Sequence, residues 1–477
     1  MTLPTHSMQS GLTVLSRLSG PDIDWILDFG VETELSPGAI LLTEGSRPDA
    51  ISLIVRGILN VFLGSDSNNP IAVLGPGHLV GEMSFLEDRP ASATVVAIEP
   101  STILSLPKQL LQQKLESDPE FAARLFRSLA QLASRRLREL LSEFSRWVQD
   151  TPPPILIESP LSRELAEATQ QCKEKMIAAR EQAGANSGGS LATELREFAA
   201  LMNRIVGPDS NESPDLRDEL GARVKRELLP ILEKSALASR LYEKPRGYDL
   251  DYETMELIGN ETHVEKCPIS FALRQLPSFA GLWNRELLLA DVLLEHVAEN
   301  SSESISCSIL ADHTGNSILS TLARTEDPNR IGVTLLDFDK KALSKAAQRA
   351  AVAGVSSRFS CVDAHLLALM AGRFEAGVEN PEIVCSVALA DMLEECFLLR
   401  VINRIYELLA PGGCLIMGLY AAGQPDWSLL HYVLDISLVQ HTETDVNRLF
   451  TASRFQSPPT RVRYEPEHTC FLVECRK

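Results

Sequence analysis

The chain has 477 residues, 44% of them hydrophobic and 23% charged, enough for roughly two to four globular domains. Its formal net charge of −19 and pI of about 5.0 exclude indiscriminate nucleic-acid binding, which needs clustered cations against phosphates. No apolar run reaches the ~18 residues of a membrane span, Met1 to Gly20 lacks a basic patch followed by an apolar core, and the nine cysteines contain no Cys-x-x-Cys pair. The expectation is a cytoplasmic protein with no metal site and no nucleic-acid partner.

From Leu35 to Leu106 short apolar runs such as Ile51-Ser52-Leu53-Ile54-Val55 and Ile58-Leu59-Asn60-Val61-Phe62 alternate with Gly, Pro and Asp. This pattern predicts a small β-barrel with glycines at its joints. Within it lies Gly81-Glu82-Met83-Ser84, then Arg89-Pro90-Ala91-Ser92-Ala93-Thr94-Val95. A glycine turn gathers backbone N–H groups into an anion-binding nest, so the segment points to a small anionic ligand. It resembles the phosphate-binding cassette of cyclic-nucleotide-binding domains. Pro37-Gly38, Glu44-Gly45, Val55-Arg56-Gly57 and Gly75-Pro76-Gly77 precede it in that family's order. The resemblance implies a double-stranded β-helix and a cyclic-nucleotide ligand held by Gly81, Glu82, Met83, Ser84, Ser92, Ala93 and Thr94. Where the family carries a phosphate-pairing arginine this chain has Ala91, and Arg89 is the nearby guanidinium.

Residues Pro119 to Val148 predict one long helix, with Phe121, Leu125, Leu129, Leu132, Leu137 and Leu141 at three- to five-residue steps. Such a stripe either covers its own barrel or pairs in a homodimer, the family's frequent use of it. No helix-turn-helix follows; Pro152-Pro153-Pro154 makes a stiff linker. The predicted modules are thus 1–150, a helical region over 151–300, and 301–477.

Residues 160–240 read as helices, interrupted at Gly184 to Ser190 and at Gly207 to Pro214. Lys244-Pro245-Arg246-Gly247-Tyr248, continuing through Asp251-Tyr252-Glu253 and Met255, and later Asn284-Arg285, resemble blocks of a bacterial methyltransferase family that makes 3-hydroxypalmitic acid methyl ester, a quorum-sensing signal. The resemblance implies that Arg246 and Arg285 lie near a carboxylate substrate, which a guanidinium grips bidentately. Read from the residues alone, these cations are surface groups or partners of Asp251 or Glu253.

From residue 300 strands and helices alternate, predicting a doubly wound α/β module. Ile305 to Leu310, Ile331 to Leu336, Phe359 to Val362, Glu382 to Val387 and Cys414 to Gly418 are its strands. The order resembles class I S-adenosylmethionine-dependent methyltransferases. That resemblance implies cofactor contacts at Gly315, Asp337 and Asp363, and a substrate contact at His431 in the Trp427 to Asp435 block. The loop Ala311 to Asn316 retains one glycine where the family has several. Two functions stay open: a ligand-sensing enzyme that esterifies a fatty-acid carboxylate, or a catalytically inactive regulator or scaffold.

Overall fold

The computed structural model describes residues 18–64, 70–147, 160–181, 185–246, 248–259, 267–311, 315–364 and 366–477. The proline linker and Asp312 to Thr314 lie outside the described residues. The chain opens with α1 (Gly20–Phe29), capped by Ser19 and Asp22 in a reciprocal capping box. Eight strands follow: β1 (Val31–Leu35), β2 (Ile40–Leu42), β3 (Ala50–Arg56), β4 (Leu59–Phe62), β5 (Ala72–Leu74), β6 (Leu79–Val80), β7 (Thr94–Ala97) and β8 (Ser101–Pro107). They form two antiparallel sheets ordered β1-β8-β3-β6 and β2-β7-β4-β5. The short helix α2 (Glu82–Glu87) sits between β6 and β7, and α3 (Lys108–Ser117) and α4 (Pro119–Trp147) follow the barrel.

Phe121, Leu125, Leu129 and Leu132 of α4 are buried in the core beneath the barrel. Farther along, Leu137 is 58% exposed. The stripe therefore covers its own barrel with its first half.

The middle is helical: α5 (Pro160–Glu181), α6 (Ala185–Val206), α7 (Pro214–Leu232), α8 (Ala236–Glu243), α9 (Tyr252–Gly259), α10 (Pro268–Arg274) and α11 (Pro277–Glu299). The expected break at Gly184 to Ser190 is corrected: the helix runs from Ala185. Gly188 is helical because Phe271 lies against it, 3.0 Å from where a Cβ would sit. Close packing, not flexibility, selects that glycine.

The last module runs β9 (Ile305–Leu310), α12 (Asn316–Arg324), β10 (Ile331–Asp337), α13 (Lys340–Val352), β11 (Phe359–Asp363), α14 (Leu366–Ala371), β12 (Ile383–Ser386), α15 (Glu395–Leu408), β13 (Cys414–Ala421), β14 (Gln440–His441), α16 (Glu443–Ala452), β15 (Arg461–Tyr464) and β16 (Cys470–Arg476). The sheet order is β11-β10-β9-β12-β13-β16-β15, with β14 beside β13. The first five strands of that order are parallel, and β16 and β15 close the edge antiparallel. Counted along the chain, the parallel part reads 3-2-1-4-5, a doubly wound sheet whose switch point lies between β9 and β12.

Barrel and sheet are not separate bodies. One apolar core joins Ile23 and Ile26 of α1, Leu53 of β3, Leu369 and Met370 of α14 and Val401 of α15.

Candidate functional site

Two places among the described residues carry the residues singled out in the sequence. The first is the turn after β6. Gly81 has φ 87°, and a Cβ there would stand 3.0 Å from the Ala50 carbonyl, so the turn requires glycine. Glu82 and Ser84 are buried, whereas Met83 is half exposed. Ala91 is buried; its N–H donates to Ser46 and its carbonyl accepts from Gly45, at 2.7 and 2.8 Å. Ser92 is exposed, Ala93 and Thr94 half-buried, and the Thr94 hydroxyl accepts from the Glu44 N–H at 3.0 Å. Arg89 lies outside this arrangement, 78% exposed and 3.5 Å from Glu87. The turn and the buried carboxylate of Glu82 are built; a guanidinium turned inward is not among the described contacts of the cassette.

The second place is the carboxyl edge of the parallel sheet, where doubly wound folds bind ligands. Asp337 ends β10 fully buried, and its Oδ1 accepts from the Asp339 N–H at 2.8 Å. Gly315, with φ 62°, caps the start of α12. Ser386 lies opposite Leu310 across the switch point and buries a hydroxyl with no hydrogen-bond partner among the described residues. Asp363 ends β11 and pairs with Arg56 of the barrel, with Lys340 at 3.5 Å.

Lys244 and Arg285 are buried and Arg246 is half-buried. The acids expected to pair with them, Asp251 and Glu253, are both taken by Arg240. Arg246 grips Asp339 at 2.7 and 3.0 Å and Glu99 of the barrel at 3.0 and 3.1 Å. Tyr248 donates to Asp339 at 2.8 Å and packs edge-on to Phe338. Burial pushes the Asp339 carboxyl up, but Arg246 and Tyr248 outweigh it and hold the group below its usual range. Lys244 joins the two distant blocks of the chain, pairing with Asp249 at 3.0 Å and Asp435 at 3.2 Å.

Arg285 projects from α11 onto Asp391, with two parallel bonds of 3.0 and 2.7 Å. Its Nε has no hydrogen-bond partner among the described residues. Gly418 is required beside it: a Cβ would meet Arg285 Cδ at 3.1 Å and the Val387 carbonyl at 2.8 Å. His431 stacks on Trp427 with ring centroids 4.4 Å apart, and its Nδ1 is 3.2 Å from the Ser437 hydroxyl. Arg246, Arg285 and His431 are thus held by three different sets of partners.

Sequence reasoning missed one cluster. His296 of α11 lies 2.9 Å from Glu474 and 3.9 Å from the Cys414 sulfur, and Arg463 binds the other Glu474 oxygen at 2.9 Å. Hydrogen bonds to Cys414 and Glu474 raise the imidazole pKa to about 9, which makes this a buried ion network with His296 charged. Three residues spread over 178 positions carry no motif.

The model of the cyclic nucleotide-binding domain family matches residues 32–118. The cyclic AMP receptor protein of Thermus thermophilus is 30% identical over 132 residues, 27% of this chain and 59% of that protein. Patatin-like phospholipase domain-containing protein 6 of Pongo abelii is 26% identical over 162 residues, 33% of this chain and 12% of that protein. In each case the chain spans less than two thirds of its relative. Among solved structures, a possible exported protein of Bordetella parapertussis aligns with 67% of this chain and 99% of its own, at a TM-score of 0.43 and 15% identity. No helix among the described residues is long and apolar enough to cross a membrane. With the glycine turn, the buried glutamate and the two antiparallel sheets in place, residues 32–118 form a cyclic nucleotide-binding domain.

Proposed function

We propose that the chain is a cyclic-nucleotide-sensing, S-adenosylmethionine-dependent methyltransferase that esterifies the carboxylate of a fatty acid of the 3-hydroxy class. The observation that carries this reading is Asp337. It is a buried carboxylate at the end of the second strand of a 3-2-1-4-5 parallel sheet, where an acceptor suits a ribose diol. Gly315 and the Ser386 hydroxyl at the switch point fit the same ligand in placement and chemistry. The cofactor would supply an electrophilic methyl group.

The chain's part is to bind and align. A carboxylate is already a nucleophile, so the protein needs to orient it and exclude water. The family resemblance points to Arg285 near that carboxylate; with both terminal nitrogens on Asp391 and the side chain buried, its part would be to fix Asp391 rather than to grip the substrate. Leu137, exposed on α4, is proposed to pack against its counterpart in a homodimer, since an apolar side chain gains by burial.

Calorimetric titration with S-adenosylmethionine tests the reading, beside separate titrations with cAMP and cGMP. Saturable binding that Asp337→Ala abolishes is the expected result; no binding by folded protein refutes it. A second reading, a non-catalytic regulator, is favoured by one observation: Asp363 and Asp339 are already engaged by Arg56 and Arg246.

A further inference from the structure

We infer that His296, Cys414 and Glu474 form a zinc site that clamps α11 to the amino end of the parallel sheet. The inference is independent of the cofactor reading, which concerns the opposite, carboxyl edge. Cys414 opens β13, and β16 runs antiparallel beside it with Glu474 opposite Ile416. Side chains alternate along a strand, so Cys414 and Glu474 stand diagonally on one face. Onto that face α11 brings His296, 2.9 Å from the Glu474 carboxylate and 3.9 Å from the Cys414 sulfur. All three residues are more than nine-tenths buried.

The donor set and its spacing fit the ion. Imidazole, thiolate and carboxylate are the ligands zinc takes, and a thiolate disfavours magnesium and calcium. One donor atom from each residue lies within 4.8 Å of the other two. A tetrahedral zinc holds such atoms roughly 3.3–3.6 Å apart, so side-chain shifts of about 1 Å bring them into place. The fourth position falls to water.

Arg463 supplies the outer support. Its Nε donates to the second Glu474 oxygen at 2.9 Å, which aims the first at His296, and its terminal nitrogens bind Glu295 at 2.8 and 2.6 Å. The two carboxylates and the Cys414 thiolate offset the charge of the ion beside this guanidinium. The Arg463 side chain is 26% exposed, which gives the ion a short way in. Loading releases two protons to solvent, one from the Cys414 thiol and one from His296. The ion network described above is the metal-free form of the site.

The clamp has a counterpart on the same helix. Arg285 precedes His296 by eleven residues in α11, about 16 Å of helix, and grips Asp391 beyond β12. The two anchors together fix how far α11 slides along the sheet.

The test loads the full chain, stripped with a chelator, with cobalt(II) and then zinc(II). The expected result is one equivalent of cobalt with a thiolate-to-cobalt charge-transfer band, displaced by zinc, which binds the same donors more tightly. Cys414→Ser loses the band. Replacing the two exposed cysteines, Cys361 and Cys396, with serine leaves it intact. His296→Gln, which keeps the thiol, weakens cobalt binding about tenfold or more. Zinc raises the unfolding temperature of wild type by about 2 °C or more and that of Cys414→Ser not at all. Circular dichroism checks the fold of each variant. No band in folded wild type overturns the site, and so does a band that disappears only with Cys361 and Cys396, which marks binding at surface thiols.

Discussion

Arg246 and Asp339 form a two-pronged pair at 2.7 and 3.0 Å, and the remaining nitrogen of the same guanidinium binds Glu99 of the barrel. One side chain from the middle of the sequence therefore ties the first module to the last. Arg246→Ala leaves two carboxylates facing each other without that cation, with an expected loss of about 3 kcal/mol. Arg246→Lys recovers little, because a point charge does not fill two forks. Urea midpoints of both variants check this; a loss below about 1 kcal/mol for the alanine variant contradicts it.

The buried Arg285–Asp391 pair gives a different pattern. Arg285→Met alone strands a buried carboxylate, with an expected loss of about 3–5 kcal/mol. Adding Asp391→Leu removes the stranded charge and restores much of it. Chemical denaturation of the single and double variants measures the coupling; additive losses would show that the two side chains act independently.

Stability depends on His296 in a defined direction. Its pKa stands near 9 in the folded chain and about 6.5 in an unfolded one. A raised value means the contribution is complete below about pH 6.5, declines as pH rises, and is gone above about pH 9. The drop is on the order of 3 kcal/mol. Urea midpoints between about pH 6 and pH 9.5 should fall in wild type and lose this component in His296→Gln.

Restoring a guanidinium to the ligand turn should raise affinity for a cyclic phosphate. Ala91→Arg supplies the fork that the exposed Arg89 does not, with an expected gain of about tenfold or more for cAMP or cGMP. Calorimetry on wild type and variant decides; no gain by a folded variant means the turn takes another ligand.

The proposed homodimer makes its own demand on α4. Leu137→Asp puts a charge at that exposed position while leaving Leu125, Leu129 and Leu132 in their core. Sedimentation should report a dimer for wild type and a monomer for the variant at micromolar concentration.

Local chemistry is legible in the sequence where short-range sterics decide. Gly38, Gly45, Gly57, Gly77 and Gly81 mark the barrel's turns, and each has φ between 79° and 88°. The strands β9 to β12 and the start of β13 follow from apolar runs, with β10 and β11 ending at Asp337 and Asp363, whereas β13 runs on through Gly418 to Ala421. Partners across the fold are not legible. Arg246 meets Asp339 over 93 positions and Glu99 over 147, and no local pattern selects them over the nearby Asp251. Gly188 reads as a hinge in the sequence because the demand on it comes from Phe271, a residue far along the chain.

The core shared by Ile23, Ile26, Leu369 and Met370 bears on how this chain can be dissected or diversified. A barrel cut free near residue 150 would present that apolar surface to water and gain aggregation in place of solubility. A foreign barrel grafted in its place would bring its own ligand turn but not the mating surface. The two modules are heritable only as a pair, and change on either side of their seam requires a matching change on the other.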